Sequence, residues 1–422
     1  MDESQGVCPA GAVRVKSLRA IGIRVGSWGP PAPSLSQNRL RRRAPTLTSS
    51  VTAITMRLRV TYHLAGSRRL AARTARDIAF EQTVELPEDA VSPEVAAGVA
   101  GRVESVEVLG HGRCRAVISF DPVVVCGDLP QLLNLLFGNI SLKAGILIAG
   151  VEWSDDLLAA LRGPRLGIAG LRELTGVRGR ALLCTALKPL GLSAAGLAEL
   201  AYGFARAGID IIKDDHNLSD QATAPFRERV ERCRDAVARA NGETGGNVLY
   251  FPNVTSSPSE MVARAGLARG AGCVGVVVNA LPVGLGAVGA IATATGLAIM
   301  SHPSLAGAFC QLDHGFAPEV LLGDLFRIAG SDAVIYPNVG GRFTFSETTC
   351  AAINARLRGP LGPVSPSFPV PAGGINAAHV PHWIERYGAD TIFLIGGSLY
   401  AQPDPIAAAG QLVAAVKRHS HG

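Results

Sequence analysis

The strongest constraint on this chain is a repeat of architecture without a repeat of sequence. Beyond residue 180, short apolar stretches occur at 181–187, 208–212, 247–252, 273–279, 297–301, 332–336, 368–371 and 391–395. Helix-compatible stretches follow them at 194–206, 223–240, 257–270, 284–295, 318–329, 346–357, 377–387 and 404–418. Strands separated by helices pair in parallel, and eight such units predict an α/β fold closed as a (β/α)8 TIM barrel. An open doubly wound sheet is the competing arrangement, weakened because no G-x-G-x-x-G follows the first strand. Upstream, 57–64, 78–86, 103–109 and 114–120 read as short alternating strands, Ser92–Ala100 as a helix, and 127–162 as mostly helical. The expected organisation is a small α+β, ferredoxin-like N-terminal domain over 56–162 and a catalytic barrel over 163–422.

Charge is distributed unevenly. The 422 residues carry a formal net charge of +6, yet residues 1–55 alone hold eight basic and two acidic side chains. The remainder balances 32 basic against 32 acidic residues, so no nucleic-acid partner is expected of the folded body. The Arg-rich first 55 residues read as a disordered basic leader, either a targeting peptide or a stretch ahead of a translation start at Met56. Eight cysteines without a C-x-x-C pair fit reduced core residues and a cytoplasmic location. Apolar runs stay below the ~18 residues that cross a bilayer, so no membrane partner is expected.

Barrel enzymes place their chemistry at the C-terminal strand ends. Here those exits carry Lys188-Pro189, Lys213-Asp214-Asp215-His216, Asn253, Asn279, Ser301-His302-Pro303, Asn338 with Gly340-Gly341-Arg342, Gly373-Gly374 and Gly396-Gly397. In an extended strand, Lys213 and Asp215 share one face, and Asp214 and His216 the other. Two carboxylates there suit Mg²⁺, while an ordinary strand-to-helix turn with an Asp N-cap is the plainer alternative. The paired glycines after strands seven and eight suit a phosphate cradle, where backbone N–H groups approach an anion. His302 at the fifth exit is a further candidate for binding substrate or phosphate. Lys188, at an apolar strand end, is a candidate general base or the cation of a rim salt bridge.

The segments Gly138-Asn139, T-A-L-K-P-L-G-L-S (185–193), G-I-D-I-I-K-D-D-H (208–216), H-G-F (314–316), V-G-G-R (339–342), P-A-G-G-I (371–375) and I-G-G (395–397) resemble the ribulose-bisphosphate carboxylase large chain, in order and approximate spacing. The resemblance spans about residues 57–420. It implies a head-to-tail homodimer with a shared active site and one Mg²⁺ per subunit, held by CO₂-carbamylated Lys213, Asp215 and His216. It also implies Lys188 as the enolising base, with Glu81 and Asn139 lent by the partner subunit's N-terminal domain.

Departures from that pattern point away from CO₂ fixation. The third metal ligand, a glutamate in the family, is His216, and the mobile-loop lysine is Arg342. Family residues for a second phosphate align with Pro303, Ala317 and Ala372. The chain therefore resembles a RubisCO-like protein acting on a substrate with one phosphate. The first expectation is an enzyme of the sugar-acid catabolic branch, a lyase or hydrolase acting on 3-oxo-isoapionate 4-phosphate. The alternatives are a methionine-salvage enolase or isomerase acting on a methylthio-sugar phosphate, and a non-catalytic regulator.

Overall fold

The computed structural model describes residues 57–161 and 163–419; the expected leader, 1–55, lies outside the described residues. The N-terminal part is a sheet covered by helices. Strands β1 (Leu58–Ala65), β2 (Arg102–Gly110), β3 (Arg113–Phe120) and β4 (Ile146–Glu152) form it, in the order β4-β1-β3-β2. On β1, alternate residues Leu58, Val60, Tyr62 and Leu64 are buried, which is the two-residue period of a half-covered strand. The helix Arg68–Glu81, capped by the Ser67 hydroxyl, buries Ala71, Ala75, Ile78 and Ala79.

That helix corrects one expectation. Residues 78–81 are its last turn rather than the start of a strand, because a helical period beginning at the Ser67 cap runs through them. A second correction lies in 127–162, where β4 stands between the helices Leu129–Phe137 and Asp155–Leu161. Ile146, Ile148 and Val151 give β4 its buried face.

The eight barrel strands are β5 (Leu182–Leu187), β6 (Ile211–Asp214), β7 (Leu249–Phe251), β8 (Gly275–Asn279), β9 (Ala298–His302), β11 (Ala333–Pro337), β12 (Phe368–Ala372) and β13 (Ile392–Ile395). The intervening β10 (Gly315–Phe316) leaves the barrel and pairs in parallel with β4, adding a fifth strand to the N-terminal sheet. The barrel ladder runs β7-β6-β5-β13-β12-β11-β9-β8, all in parallel, and Val254 N–H to Val277 O (3.0 Å) with Val277 N–H to Pro252 O (2.8 Å) closes the ring. The result is one closed eight-stranded (β/α)8 barrel, as the strand–helix alternation predicted.

Inward-facing residues fill the barrel: Leu182, Cys184, Ile211, Phe251, Met300, Ile335, Val370 and Leu394 belong to one buried cluster. Gly275 is small for a packing reason, since a Cβ there would collide with the Phe251 ring. The lower end is plugged by Leu171 of the helix Gly167–Thr175. Buried Asp332 fastens that helix, accepting Leu166 N–H (2.8 Å) and Gly167 N–H (2.7 Å) on one oxygen and Ile299 N–H (2.8 Å) on the other. Among the described residues no helix is long and apolar enough to cross a membrane, and the seven described cysteines are free.

The two parts meet at a buried carboxylate. Asp324 sits in the π-helical turn Glu319–Leu325 and accepts Trp153 Nε1–H from the end of β4 (3.0 Å), with Arg356 Nη1 at 3.4 Å. Its Oδ1 is buried without a hydrogen-bond partner. Burial pushes the Asp324 carboxyl up to about 6, against the opposing pull of Arg356, the Trp153 hydrogen bond and Arg327. An acid raised in the folded state loses stability as pH climbs from the unfolded value near 4 through about 6. Asp324→Asn should therefore be more stable than the parent at pH 8 by about 2–3 kcal/mol and nearly equal to it at pH 4, measured by urea unfolding. Equal stabilities at both pH values would contradict this reading of the carboxylate.

Candidate active site

The side-chain period of β6 sets the site. Ile211 faces the barrel interior and Ile212 faces the helices, so Lys213 points inward and Asp214 outward. Asp214 is fully buried, and Arg229 from the helix Phe226–Thr244 donates to its Oδ2 through Nε (3.0 Å). Asn253 N–H donates to the same oxygen (3.0 Å) and Tyr250 O–H to Oδ1 (2.8 Å). Asp214 is therefore consumed by structure, which removes one of the two carboxylates expected for Mg²⁺.

β6 ends at Asp214, and this overturns the expected grouping of His216 with Asp214. Asp215 opens a turn, accepting Asn217 N–H on Oδ1 (3.2 Å) and Leu218 N–H on its carbonyl (3.0 Å). The turn brings His216 round to the barrel mouth, where its Nδ1 lies 3.2 Å from Asp215 Oδ1. Asn253 and Asn279, the exits of β7 and β8, hold that turn by donating Nδ2–H to the His216 carbonyl at 2.9 and 3.0 Å. The sequence marks both asparagines as polar strand exits, but the carbonyl they grip is visible only in three dimensions.

Five expected residues converge here. Lys188 Nζ, from the end of β5, forms an ion pair with Asp215 Oδ2. Burial opposes charge on Asp215, yet the hydrogen bonds from His216 and Lys188 and the charge of Lys213 outweigh it and hold the carboxyl below its usual range. Lys213 is 2% exposed and donates to Asp214 O (2.8 Å); burial drives its amine toward the neutral form. His302, from β9, stacks on His216 with ring centroids 4.2 Å apart and planes 4° from parallel. Burial, followed by the charges of Lys213 and His216, lowers His302 well below the ordinary imidazole value. The ring is thereby favoured in its neutral, hydrogen-bonding form, with Nδ1 2.8 Å from Ser304 Oγ.

The glycine exits border this cluster. A Cβ on Gly396 would stand 3.7 Å from Lys188 Cε, which sets the Gly396-Gly397 turn beside the lysine. Gly374 has φ +68°, and a Cβ there would strike Val339 O, so only glycine keeps this backbone bare and accessible. Gly373 packs on Gly341, and its carbonyl accepts Asn338 Nδ2–H at 3.3 Å. Arg342 is not gathered in: its side chain is exposed, its guanidinium 5.9 Å from the Phe343 ring centroid. Glu81 and Asn139 meet each other, Asn139 Nδ2–H donating to Glu81 Oε1 (2.9 Å), on the N-terminal part rather than in this chain's own mouth.

Among the described residues no three His, Cys, Asp or Glu side chains are grouped to hold a metal ion. Asp215 and His216 supply two donors, and a third requires Lys213. A neutral buried amine is the form that adds CO₂, and the resulting carbamate offers an oxygen. With that modification the set fits a divalent ion; its imidazole widens the fit beyond the all-oxygen preference of Mg²⁺.

Known proteins carry the same frame. The family profile described as ribulose bisphosphate carboxylase large chain, catalytic domain, matches residues 167–418. The chain is 40% identical over 354 residues to a protein of Rhodospirillum rubrum named 5-methylthioribulose-1-phosphate isomerase, covering 83% of this chain and 93% of that one. It is 31% identical over 327 residues to 2,3-diketo-5-methylthiopentyl-1-phosphate enolase of Geobacillus thermodenitrificans, covering 74% and 79% of the two chains. The crystal structure of a Rubisco-like protein from Rhodopseudomonas palustris superposes with a TM-score of 0.80 at 39% identity, covering 87% of this chain and 99% of that one. With this match over most of its length, a closed barrel and the K-D-D-H exit in place, the chain belongs to the ribulose bisphosphate carboxylase large chain family.

Proposed function

We propose that this protein is an isomerase or enolase of a monophosphorylated methylthio-sugar, acting by proton transfer next to a carbonyl. The observation that carries the substrate class is the 40% identity over 83% of the chain with a relative named for 5-methylthioribulose 1-phosphate. That likeness favours the methylthio-sugar alternative over 3-oxo-isoapionate 4-phosphate, the first expectation from the sequence. The geometry supports enolisation through Lys188, Asp215 and His216 at adjoining strand exits. Two further observations fit one phosphate: bare glycine backbone at the β12 and β13 exits, and Ala372 and Pro303 where a second anion site needs polar side chains.

A divalent ion, Mg²⁺ in the first instance, held by Asp215, His216 and a Lys213 carbamate would polarise the substrate carbonyl. Lys188 Nζ takes the proton from the carbon beside that carbonyl and returns it to the isomeric position. Asp215 orients Lys188 by accepting its N–H. His302 donates or accepts a hydrogen bond at a substrate hydroxyl as a neutral ring. The amides around Gly373, Gly374, Gly396 and Gly397 hold the phosphate. Glu81 and Asn139 reach the mouth of a second copy in a homodimer, and Arg342 closes over the substrate from its exposed loop.

Two tests follow. Incubated with Mg²⁺ and bicarbonate, the protein should convert 5-methylthioribulose 1-phosphate, followed by ³¹P NMR, and leave 3-oxo-isoapionate 4-phosphate unchanged. Release of CO₂ from the latter with no change in the former would reverse the assignment. In ¹³C NMR with ¹³C-bicarbonate and Mg²⁺, the parent protein should gain one carbamate signal that Lys213→Ala lacks. A parent without that signal, or a variant that retains it, would remove Lys213 from the ligand set.

A further inference from the structure

We propose that Tyr400 is a positioning residue for Lys188, standing in for a strand residue at the point where the barrel ladder runs out. This inference rests on the reading of Lys188 as the base. The hydrogen-bonding direction of β5 alternates. Leu182 N–H donates to Thr391 O just before β13, whereas Leu183 O accepts Asp210 N–H just before β6. The even-numbered backbone groups of β5 therefore face β13. The register of β5 with β13 ends at Thr185 opposite Ile395, after which the chain turns away through Gly396 and Gly397.

That turn would leave the Ala186 carbonyl and the Lys188 N–H without the rung that a continued β13 provides. In a parallel ladder, one residue of the neighbouring strand serves both groups, donating to residue i and accepting from residue i+2. The Tyr400 hydroxyl does both jobs: it donates to Ala186 O at 2.9 Å and accepts Lys188 N–H at 3.1 Å. A phenol suits the role because one oxygen carries a donor and acceptor lone pairs. Burial pushes the hydroxyl up to about 12, so it keeps its proton at working pH. Its ring is steadied edge-on against Phe204, with centroids 5.9 Å apart.

The consequence for chemistry is geometric. Tyr400 ties the backbone on both sides of Leu187, and so fixes where the Lys188 side chain leaves the barrel toward Asp215. The same residue closes the short helix Gly397–Tyr400 that begins with the glycine exit. Base and proposed phosphate turn thus share one anchor. An error of about 1 Å in such a group lowers turnover by up to roughly a hundredfold while leaving binding groups in place.

The test is Tyr400→Phe, which keeps the ring and removes only the hydroxyl, with Lys188→Met as its control. For 5-methylthioribulose 1-phosphate, kcat should fall roughly ten- to a hundredfold with KM changed less than about threefold. Independently of any substrate, amide hydrogen exchange in the segment 186–190 should accelerate at least about tenfold with the melting temperature nearly unchanged. Unchanged exchange and unchanged kcat in Tyr400→Phe, with Lys188→Met inactive, would overturn the positioning role and leave the base intact. An active Lys188→Met would instead overturn the base, and the exchange rate would still decide whether Tyr400 anchors the strand exit.

Discussion

The arrangement of side chains at this barrel mouth depends on a buried ion pair behind it. Asp214 and Arg229 are both fully enclosed, and the carboxylate has three donors: Arg229 Nε, Tyr250 O–H and Asn253 N–H. Breaking such a pair by removing one partner costs about 3–5 kcal/mol, because the survivor keeps its desolvation penalty. The pair locks the phase of β6. With Asp214 held outward, Lys213 has to face the interior, and Asp215 has to open the turn above it. A slip of one residue would exchange the two faces and put Asp214 where Lys213 stands.

Burial then gives the inward residues their character. Lys213 follows Ile211 on the inner face, beside Cys184, in surroundings that disfavour an ammonium ion. Burial thereby favours the neutral form of Lys213 at the level of Asp215 and His216, the proposed ligands. Above it, Asp215 carries its charge in spite of burial because Lys188 and His216 donate to it. His302, stacked on His216, is held toward its neutral form chiefly by burial.

Much of this was legible in the sequence, for physical reasons. Eight interior strands each need a compact apolar run, and each connection needs a helix, so the alternation beyond residue 180 survives without sequence repetition. The exits at Lys188, Lys213, Asp215, His216 and His302 could be named because polar side chains interrupt those runs. Other features were hidden. The last turn of the helix Arg68–Glu81 has a strand-like composition, and β4 lies in leucine-rich surroundings. The partner of Asp214 is 15 residues away along the chain, on a helix that charge alone does not single out. His216 leaves the expected face because β6 stops two residues earlier. Tyr400 follows Gly-Gly-Ser-Leu with nothing local to link it to Lys188.

Membership of the family explains the frame, and the departures explain the direction of the chemistry. Pro303, Ala317 and Ala372 at the positions of a second anion site carry the proposal of one phosphate, while His216 in place of an acid and Arg342 on an exposed loop are the departures that bear on the metal and on CO₂ fixation. What persists at the barrel mouth is the Lys188–Asp215 ion pair, the pair for which proton transfer beside a carbonyl is proposed. Proton transfer by Lys188 leaves a trace in solvent exchange. The protein is incubated with 5-methylthioribulose 1-phosphate, Mg²⁺ and bicarbonate in D₂O, and the recovered sugar phosphates are read by ¹H NMR. Deuterium should appear on the carbon beside the carbonyl with the parent protein and not with Lys188→Met. Conversion without deuterium entry, or equal entry with Lys188→Met, would contradict proton transfer by Lys188.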